Sequence, residues 1–273
     1  MVRSAMSTPF VARAEQVDVL LDALDRAGRG TPEAVLLSGD AGVGKSALVR
    51  HVAELAARRG ALVAVGHCVD LGEIGLPYLP FTEAVARVRE LAPQVVEQVL
   101  AERPALGLLL PGAPGAAGLA EGDRLQVFDA LARLLAAAGT PERPLLLVVE
   151  DAHWADASSR DVLRFLVSRL LAEPVLLVVT YRTDDLHRRH PWRPVAAELG
   201  RHPRVVRLEL PPFDADEVRA LAVAVTGTEP APDALHRLTE RSGGNAYFVQ
   251  ELLEADDDAL PGSLADVLHA RLE

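Results

Sequence analysis

The sequence predicts an α/β protein with a doubly wound parallel sheet, followed by a small helical domain at the C-terminal end. Short apolar runs without polar alternation recur through the first three quarters of the chain, which is typical of strands covered on both faces. A glycine-rich run separates the first of them from a helical pattern, and after residue 212 only helical patterns remain. These three observations indicate the fold class.

The predicted elements alternate between strand and helix. The strand candidates are AVLL (34–37), ALVAVG (61–66), LLLVV (145–149), VLLVVT (175–180) and VVRLEL (205–210). Amphipathic helical patterns lie between them, for example at 123–138 and 157–171. Right-handed crossovers between such strands give a parallel sheet whose ligands sit at the carboxyl ends of the strands.

The domain division is predicted after residue 212, with an α/β domain over 1–212 and a helical lid domain over 213–273. Helices are expected at 214–225, 231–241 and 246–253, and Ser263 is expected to cap a further short helix. We therefore expect the parent protein to continue beyond residue 273. The proline- and glycine-rich segment 104–123 is predicted to be a mobile surface insertion.

Composition and charge exclude several classes of protein. The chain has 273 residues, of which 49% are hydrophobic and 25% charged, as in ordinary globular domains. The net charge of −11 opposes a polyanion, so we expect no DNA binding by these residues. No apolar run is long enough to span a membrane, and a single cysteine, Cys68, agrees with a reducing compartment, so a cytoplasmic location is expected.

The clearest motif is GDAGVGKS, which fits the G-x-x-x-x-G-K-[ST] pattern between a strand and a helix. Loops of this kind direct backbone N–H groups at phosphates, the lysine reaches the β- and γ-phosphates, and the serine hydroxyl ligates Mg²⁺. The alternative is a glycine-rich turn with an incidental Lys-Ser pair. The predicted nucleotide-binding residues are Gly39, Asp40, Ala41, Gly42, Val43, Gly44, Lys45, Ser46 and Ala47.

A second constellation follows the strand at 145–149. Glu150 and Asp151 end this strand, as in a Walker B motif, so we assign Glu150 together with Ser46 to the metal and Asp151 to the attacking water. The acids come in the reverse of the usual Asp-Glu order, and the shorter aspartate predicts slow turnover. Arg182, at the end of a later strand, is predicted to sense the γ-phosphate. The alternatives are two solvated acids at a strand end and a surface arginine paired with Asp184 or Asp185.

With these residues in view, the chain resembles the N-terminal ATPase module of the STAND class among AAA+-like P-loop NTPases of the ASCE group, and most closely the large ATP-binding regulators of the LuxR type. The resemblance is carried by FVAR (10–13), GHC with LPYLPFTEAV (66–85), VVEDAHWADASS (148–159), TYR (180–182), GGNAYFVQELL (243–253) and LPGSLADVLHARL (260–272). Ala12, Glu150 and Ala246 depart from the family pattern.

The resemblance implies that Phe10, Val11 and Arg13 lie beside the adenine. It also implies an ATP- or ADP-dependent switch with slow Mg²⁺-dependent hydrolysis, which regulates transcription and which self-associates or binds an effector protein in the parent protein. Two other functions stay open at this point. One is an AAA+ motor or origin-binding replication ATPase, and the other is a scaffold that binds nucleotide without hydrolysing it.

Overall fold

The computed structural model describes residues 10–70, 72, 76–110, 121–169 and 173–254. The strands are β1 (Glu33–Gly39), β2 (Leu62–His67), β3 (Leu145–Glu150), β4 (Val175–Arg182) and β5 (Val205–Glu209). The helices are α1 (Ala14–Gly28), α2 (Lys45–Arg58), α3 (Leu79–Leu91), α4 (Pro93–Glu102), α5 (Glu121–Ala138), α6 (Ala157–Arg169), α7 (Trp192–Leu199), α8 (Ala215–Thr226), α9 (Pro232–Ser242) and α10 (Ala246–Glu254).

The five strands form one parallel sheet in the order β2-β3-β4-β1-β5. All five predicted strands are confirmed, and their bounds differ from the prediction by a few residues at most. β1 lies between β4 and β5, so the loop that follows β1 starts from the interior of the sheet. The order of the strands requires crossovers, which the helices provide.

The two faces of the sheet carry separate apolar cores. Val35 and Leu37 of β1 pack on one face with α1 and α2, whereas Ala34 and Leu36 contribute to the other face with α3 to α7. Successive side chains of a strand point to opposite faces, so a strand with helices on both sides must be apolar at every position. This explains why the inner strands lack an alternating pattern.

The predicted surface insertion at 104–123 is wrong over its first residues. Pro104–Leu109 form a 3₁₀ helix, and Leu106 and Leu109 are fully buried against α4 and α5. The proline and glycine of this segment give it the composition of a loop. Its two buried leucines nevertheless pack it into the core. The middle of the predicted insertion, 111–120, lies outside the described residues.

The helical domain has its own small core. Phe213, Val218, Leu221, Ala246 and Val249 pack together between α8, α9 and α10. Asp214 caps α8 in a capping box with Glu217, because its carboxylate accepts the amides of residues 216 and 217. The predicted helices at 214–225, 231–241 and 246–253 are confirmed, whereas the helix predicted from Ser263 lies outside the described residues. Within the described ranges, no helix has the length and apolar character needed to cross a membrane.

Candidate functional site

The glycine-rich loop joins β1 to α2 at the carboxyl edge of the sheet. Gly42 and Gly44 have φ values of 75° and 105°, in the left-handed region that favours glycine. Gly44 directly precedes α2, which begins at Lys45. The loop therefore brings its own backbone and the positive end of a helix to the edge where open α/β sheets bind their ligands.

Lys45 is held inside the loop. Its Nζ donates hydrogen bonds to the carbonyl oxygens of Gly39 and Asp40, both at 2.8 Å, and the residue is 7% exposed. Burial lowers the pKa of Lys45, and the nearby positive charge of Arg182 lowers it further. A phosphate group beside Nζ would favour the charged form again, because an opposite charge stabilises an ionised group.

Ser46 and Glu150 form the pair that the sequence assigned to the metal. The Ser46 hydroxyl donates a hydrogen bond of 2.6 Å to Oε2 of Glu150, which is 8% exposed at the end of β3. Hydroxyl and carboxylate oxygens are ligands that Mg²⁺ prefers, and this ion is usually completed by water and substrate phosphates. Ser46 and Glu150 thus offer two such oxygens beside the glycine-rich loop.

Asp151 adopts an unusual backbone conformation. Its φ of 54° is in the left-handed region, and its amide donates a hydrogen bond of 2.9 Å to the hydroxyl of the buried Thr180 on β4. The neighbouring strand thus holds a conformation that costs an aspartate of the order of 1–3 kcal/mol. Asp151 lines the cavity, whereas Glu150 does not line it and accepts the hydrogen bond of Ser46.

Arg182 lies on the far side of the cavity and has several partners. Its guanidinium is 3.6 Å from Oδ2 of Asp185 and lies over the ring of Trp154, at 5.0 Å from the centroid. Its backbone N–H donates to Nδ1 of His153 at 3.4 Å, and Nε2 of His153 is 3.6 Å from the same Asp185 carboxylate. The ion pair with Asp185 was the alternative interpretation of Arg182. The structure combines it with a position on the cavity wall.

His153 and Trp154 therefore support Arg182. Burial lowers the pKa of His153 to about 4, which leaves its ring neutral at neutral pH. Since Nδ1 accepts the Arg182 amide, a neutral ring carries its proton on Nε2, which is buried, makes no hydrogen bond and lies 3.6 Å from Oδ2 of Asp185. His153 and Trp154 contact the strand end that carries Arg182, and no pattern in the sequence predicts this role.

The residues predicted beside the adenine divide into two groups. Phe10 and Val11 line the cavity, and the Phe10 ring stacks on His51 of α2 at 4.0 Å and 11°. Arg13 also lines the cavity, but its guanidinium is committed elsewhere: it donates to the carbonyl of Pro211 and lies 4.4 Å from the centroid of the Phe213 ring. Arg13 thus connects the sheet domain to the start of the helical domain.

The helical domain closes the other side of the site. A cavity of about 590 Å³ lies between the loop, α2 and the helical domain. It is within the range of small-molecule pockets. The helical domain contributes Phe213, Leu221, Ala246, Tyr247 and Gln250 to its wall. Asn245 donates a hydrogen bond of 2.7 Å to the carbonyl of Ala41, so this domain contacts the loop directly.

The structure brings most of the predicted residues into one place. Those that line the cavity are Phe10, Val11, Arg13, Gly42, Val43, Gly44, Lys45, Ser46, Ala47, Asp151 and Arg182. The other four predicted residues do not line the cavity but accept hydrogen bonds at the site. The carbonyls of Gly39 and Asp40 accept from Lys45. The carbonyl of Ala41 accepts from Asn245, and the carboxylate of Glu150 accepts from Ser46.

Further residues of the site were not predicted from the sequence. Asn245, Tyr247 and Gln250 lie in the quoted motif at 243–253, which could have indicated them. The cavity residues His51, Phe213 and Leu221 lie in none of the quoted motifs.

Comparison with known proteins supports the same outline. The family model of the AAA ATPase domain matches residues 9–179, which is more than half of the chain. A curated relative, an uncharacterized protein of Rhizobium meliloti (strain 1021), is 26% identical over 284 residues, which cover 91% of this chain and 25% of the relative. The chain thus spans about a quarter of the length of this relative.

Among solved structures, a STAND protein with a tetratricopeptide repeat sensor from Pyrococcus horikoshii is similar, with a TM-score of 0.60 and 15% identity over 99% of this chain and 34% of that one. The ORC1 protein of Aeropyrum pernix, solved in complex with DNA, has a TM-score of 0.54 and 20% identity over 100% of this chain and 64% of that one. At these identities the likeness establishes the fold alone, which is the α/β fold of P-loop ATPases.

Proposed function

Because the chain belongs to the AAA ATPase domain family, we propose that it binds Mg-ATP and Mg-ADP in the cavity between its sheet and its helical domain and acts as a nucleotide-dependent switch. One observation carries the proposal. A single cavity is lined by the glycine-rich loop, by Asp151 and Arg182 from the sheet edge, and by residues of the helical domain. A ligand that touches both domains shifts their arrangement by its differential affinity for the closed form.

The residues divide the chemistry between them. Lys45 and the loop amides would bind the phosphates, and Ser46 and Glu150 would hold Mg²⁺, which supplies neutralising charge to the β- and γ-phosphates when bound. In hydrolysis a water oxygen forms a bond to the γ-phosphorus, the bond to the β–γ bridging oxygen breaks, and Asp151 accepts a proton from the water. Arg182 would contact the γ-phosphate. We propose slow turnover, because an aspartate reaches less far toward the water than a glutamate.

We further propose that the parent protein is a cytoplasmic transcriptional regulator of the STAND class and LuxR type. The motifs quoted above support this, as does the fold similarity to a STAND protein of which the matching part is about a third. In such an arrangement, the bound nucleotide sets how the helical domain packs on the sheet domain. This packing in turn controls self-association or the binding of an effector protein. Recognition of DNA is assigned to other parts of the parent protein, in keeping with the net charge of −11.

Ligand-induced stabilisation tests the binding site. At a hundredfold excess over Kd, Mg-ADP should stabilise the protein by about 2.7 kcal/mol, a rise of roughly 5–10 °C in melting temperature. The Lys45→Ala variant should lose this rise. Because Lys45 also satisfies two carbonyls, the ligand-induced shift is compared rather than the melting temperature itself. Arg59→Ala, at the other end of α2, removes a positive charge outside the cavity and should keep the full shift. Equal shifts in wild type and Lys45→Ala would contradict the site.

The sequence offers a second, independent measurement. Lys45 is the single lysine of the chain, so an acyl phosphate of ATP, which acylates amines beside the phosphates, can modify only this side chain or the terminal amine. Mass spectrometry should find the label on Lys45, and excess Mg-ADP should suppress it. Labelling confined to the terminal amine would contradict the proposed position of the phosphates.

Turnover distinguishes the three functions considered for the chain. A switch is expected to hydrolyse ATP slowly and at a rate per molecule that does not depend on protein concentration. A motor that completes its active site with a neighbouring subunit would be fast and concentration-dependent, and a scaffold would bind nucleotide without releasing phosphate. Steady-state phosphate release over a hundredfold range of protein concentration separates these outcomes.

A further inference from the structure

A short segment of the helical domain, residues 245–247, is hydrogen-bonded to the glycine-rich loop. The side-chain amide of Asn245 donates to the carbonyl oxygen of Ala41 at 2.7 Å, and the backbone N–H of Tyr247 donates to the carbonyl of Gly42 at 3.0 Å. The approach is so close that a Cβ on Gly42 would lie 2.6 Å from Oδ1 of Asn245 and 2.9 Å from Cβ of Tyr247. Two consecutive peptide groups of the loop are thus bound by the same turn of the helical domain.

These bonds fix the direction of the loop's peptide groups. A peptide group is planar, so the carbonyl of Ala41 and the N–H of Gly42 point in opposite directions. A donor that holds the carbonyl from behind therefore sets where the N–H points. The carbonyls of Gly39 and Asp40 accept from Lys45, so the first four carbonyls of the motif all have donors within the protein. Asn245 is the one donor among these that comes from a side chain of the helical domain.

The Asn245 side chain has a second bond that can be separated from the first. Its Oδ1 accepts the amides of Tyr247 and Phe248, at 3.1 and 3.4 Å, as an N-cap of α10, and it shares the Tyr247 N–H with the carbonyl of Gly42. The amide nitrogen therefore binds the loop while the oxygen caps the helix. A substitution that keeps an oxygen at this position but removes the N–H affects only the contact with the loop.

We propose that Asn245 is a positioning residue that couples the helical domain to the phosphate-binding loop, so that loss of its N–H weakens nucleotide binding while the helical domain stays folded. This inference rests on the proposed nucleotide-binding function. α10 carries Ala246, Tyr247 and Gln250 on the cavity wall, so the bond that fixes the start of α10 against the loop also sets where these residues meet a ligand. The coupling works in both directions, because linkage between two sites is reciprocal.

Two variants test the coupling. Asn245→Ser and Asn245→Asp both keep an oxygen that can cap α10. The carboxylate of the Asp variant has no proton to donate to the Ala41 carbonyl, and the hydroxyl of the Ser variant lies one bond closer to the backbone than the Asn245 amide nitrogen and falls short of that carbonyl. For Asn245→Ser we expect a Kd for Mg-ADP about three- to tenfold above wild type, the size of one hydrogen bond. For Asn245→Asp we expect a larger increase, because its carboxylate also repels the phosphates of the ligand. Hydrogen exchange of α10 and of residues 41–43, measured without nucleotide, should be faster in both variants.

The control variant alters a cap in the same domain without touching the loop. Asp214→Ser changes the N-cap of α8, whose carboxylate contacts the amides of residues 216 and 217. We expect its Kd for Mg-ADP to stay within about twofold of wild type, because no hydrogen bond to the loop is lost. A general loosening of the helical domain would raise Kd in all three variants alike, and that result would overturn the proposal.

The proposal and the proposed function fail in different ways. If wild type itself does not bind Mg-ADP, the function is contradicted, while faster exchange at residues 41–43 in the nucleotide-free Asn245 variants still tests the link to the loop. Suppose instead that wild type binds Mg-ADP. If both Asn245 variants then have the wild-type Kd, or exchange their amide hydrogens at the wild-type rate, Asn245 does not couple the two domains.

Discussion

Gly42 offers a direct measure of how tightly the helical domain packs on the loop. We consider Gly42→Ala beside Gly227→Ala, because both glycines have a φ of 75°. The backbone cost of an alanine in this conformation is about 1–2 kcal/mol and should be the same at the two sites. A Cβ on Gly227 meets no atom within 4 Å, whereas one on Gly42 meets Asn245 and Tyr247 at 2.6 and 2.9 Å.

The difference between the two variants comes from that contact. At Gly42 the added carbon must displace Asn245, which breaks the hydrogen bond to Ala41 at a cost of about 0.5–1.5 kcal/mol. It must also shift backbone, because the contact with Tyr247 is to its Cβ rather than to a flexible side-chain end, and overpacking of this kind costs about 1–3 kcal/mol. We therefore expect Gly42→Ala to lose about 1.5–4.5 kcal/mol more than Gly227→Ala.

The assay is denaturant unfolding of the nucleotide-free proteins, with separate signals for the sheet domain and the helical domain, since two-domain chains need not unfold in one step. Leaving nucleotide out ensures that the measured difference reports on packing and not on lost phosphate contacts. Equal losses of stability in Gly42→Ala and Gly227→Ala would refute the close packing of the helical domain on the loop, and with it the basis for coupling through Asn245.

The acid pair should separate binding from turnover: Asp151→Asn is expected to bind Mg-ATP normally and lose hydrolysis, whereas Glu150→Gln should weaken the Mg²⁺ dependence of binding, and the reverse pattern would exchange the two roles. His153 should make stability depend on pH. Its pKa is lowered to about 4 by burial in the folded protein, so the unfolded chain, with an ordinary pKa of about 6.5, takes up a proton first. The free energy of unfolding therefore falls as pH drops from about 6.5 to about 4, by up to about 1.4 kcal/mol per pH unit. In His153→Asn the free energy of unfolding should lack this contribution to its pH dependence. With a net charge of −11, the chain is expected to show no saturable, sequence-selective DNA binding in an anisotropy titration at moderate salt, and micromolar affinity would contradict this.

The sheet could be predicted from the sequence because its causes are local. Each inner strand is covered on both faces, and a strand in that position can hardly be anything other than a short apolar run. The motif at Gly39 to Ser46 could be predicted for a similar reason, since a loop that wraps an anion needs glycines where φ is positive. The segment at 104–109 could not, because prolines and glycines indicate a turn but do not tell whether Leu106 and Leu109 find a core.

The contacts that complete the site depend on long-range packing, which local patterns do not reveal. Arg13 meets Pro211 and Asn245 meets Ala41 across about two hundred residues of chain. His153 and Trp154 follow the acid pair directly, and yet their role toward Arg182 depends on the neighbouring strand β4. Residue type indicated which groups could do chemistry, and the fold decided which of them face the cavity.

Ala41 shows how the two sides of the cavity connect through backbone alone. Its N–H donates to the carboxylate of Asp184 at 3.2 Å, and its carbonyl accepts from Asn245 at 2.7 Å. Asp184 lies two residues after Arg182, the candidate γ-phosphate sensor, whereas Asn245 starts the helix that carries the opposite wall. A displacement of the strand end by a γ-phosphate would therefore reach the helical domain through one residue of the loop. Both bonds are made by the backbone of Ala41, so the connection between the two walls depends on the conformation of the loop and not on the side chain at this position.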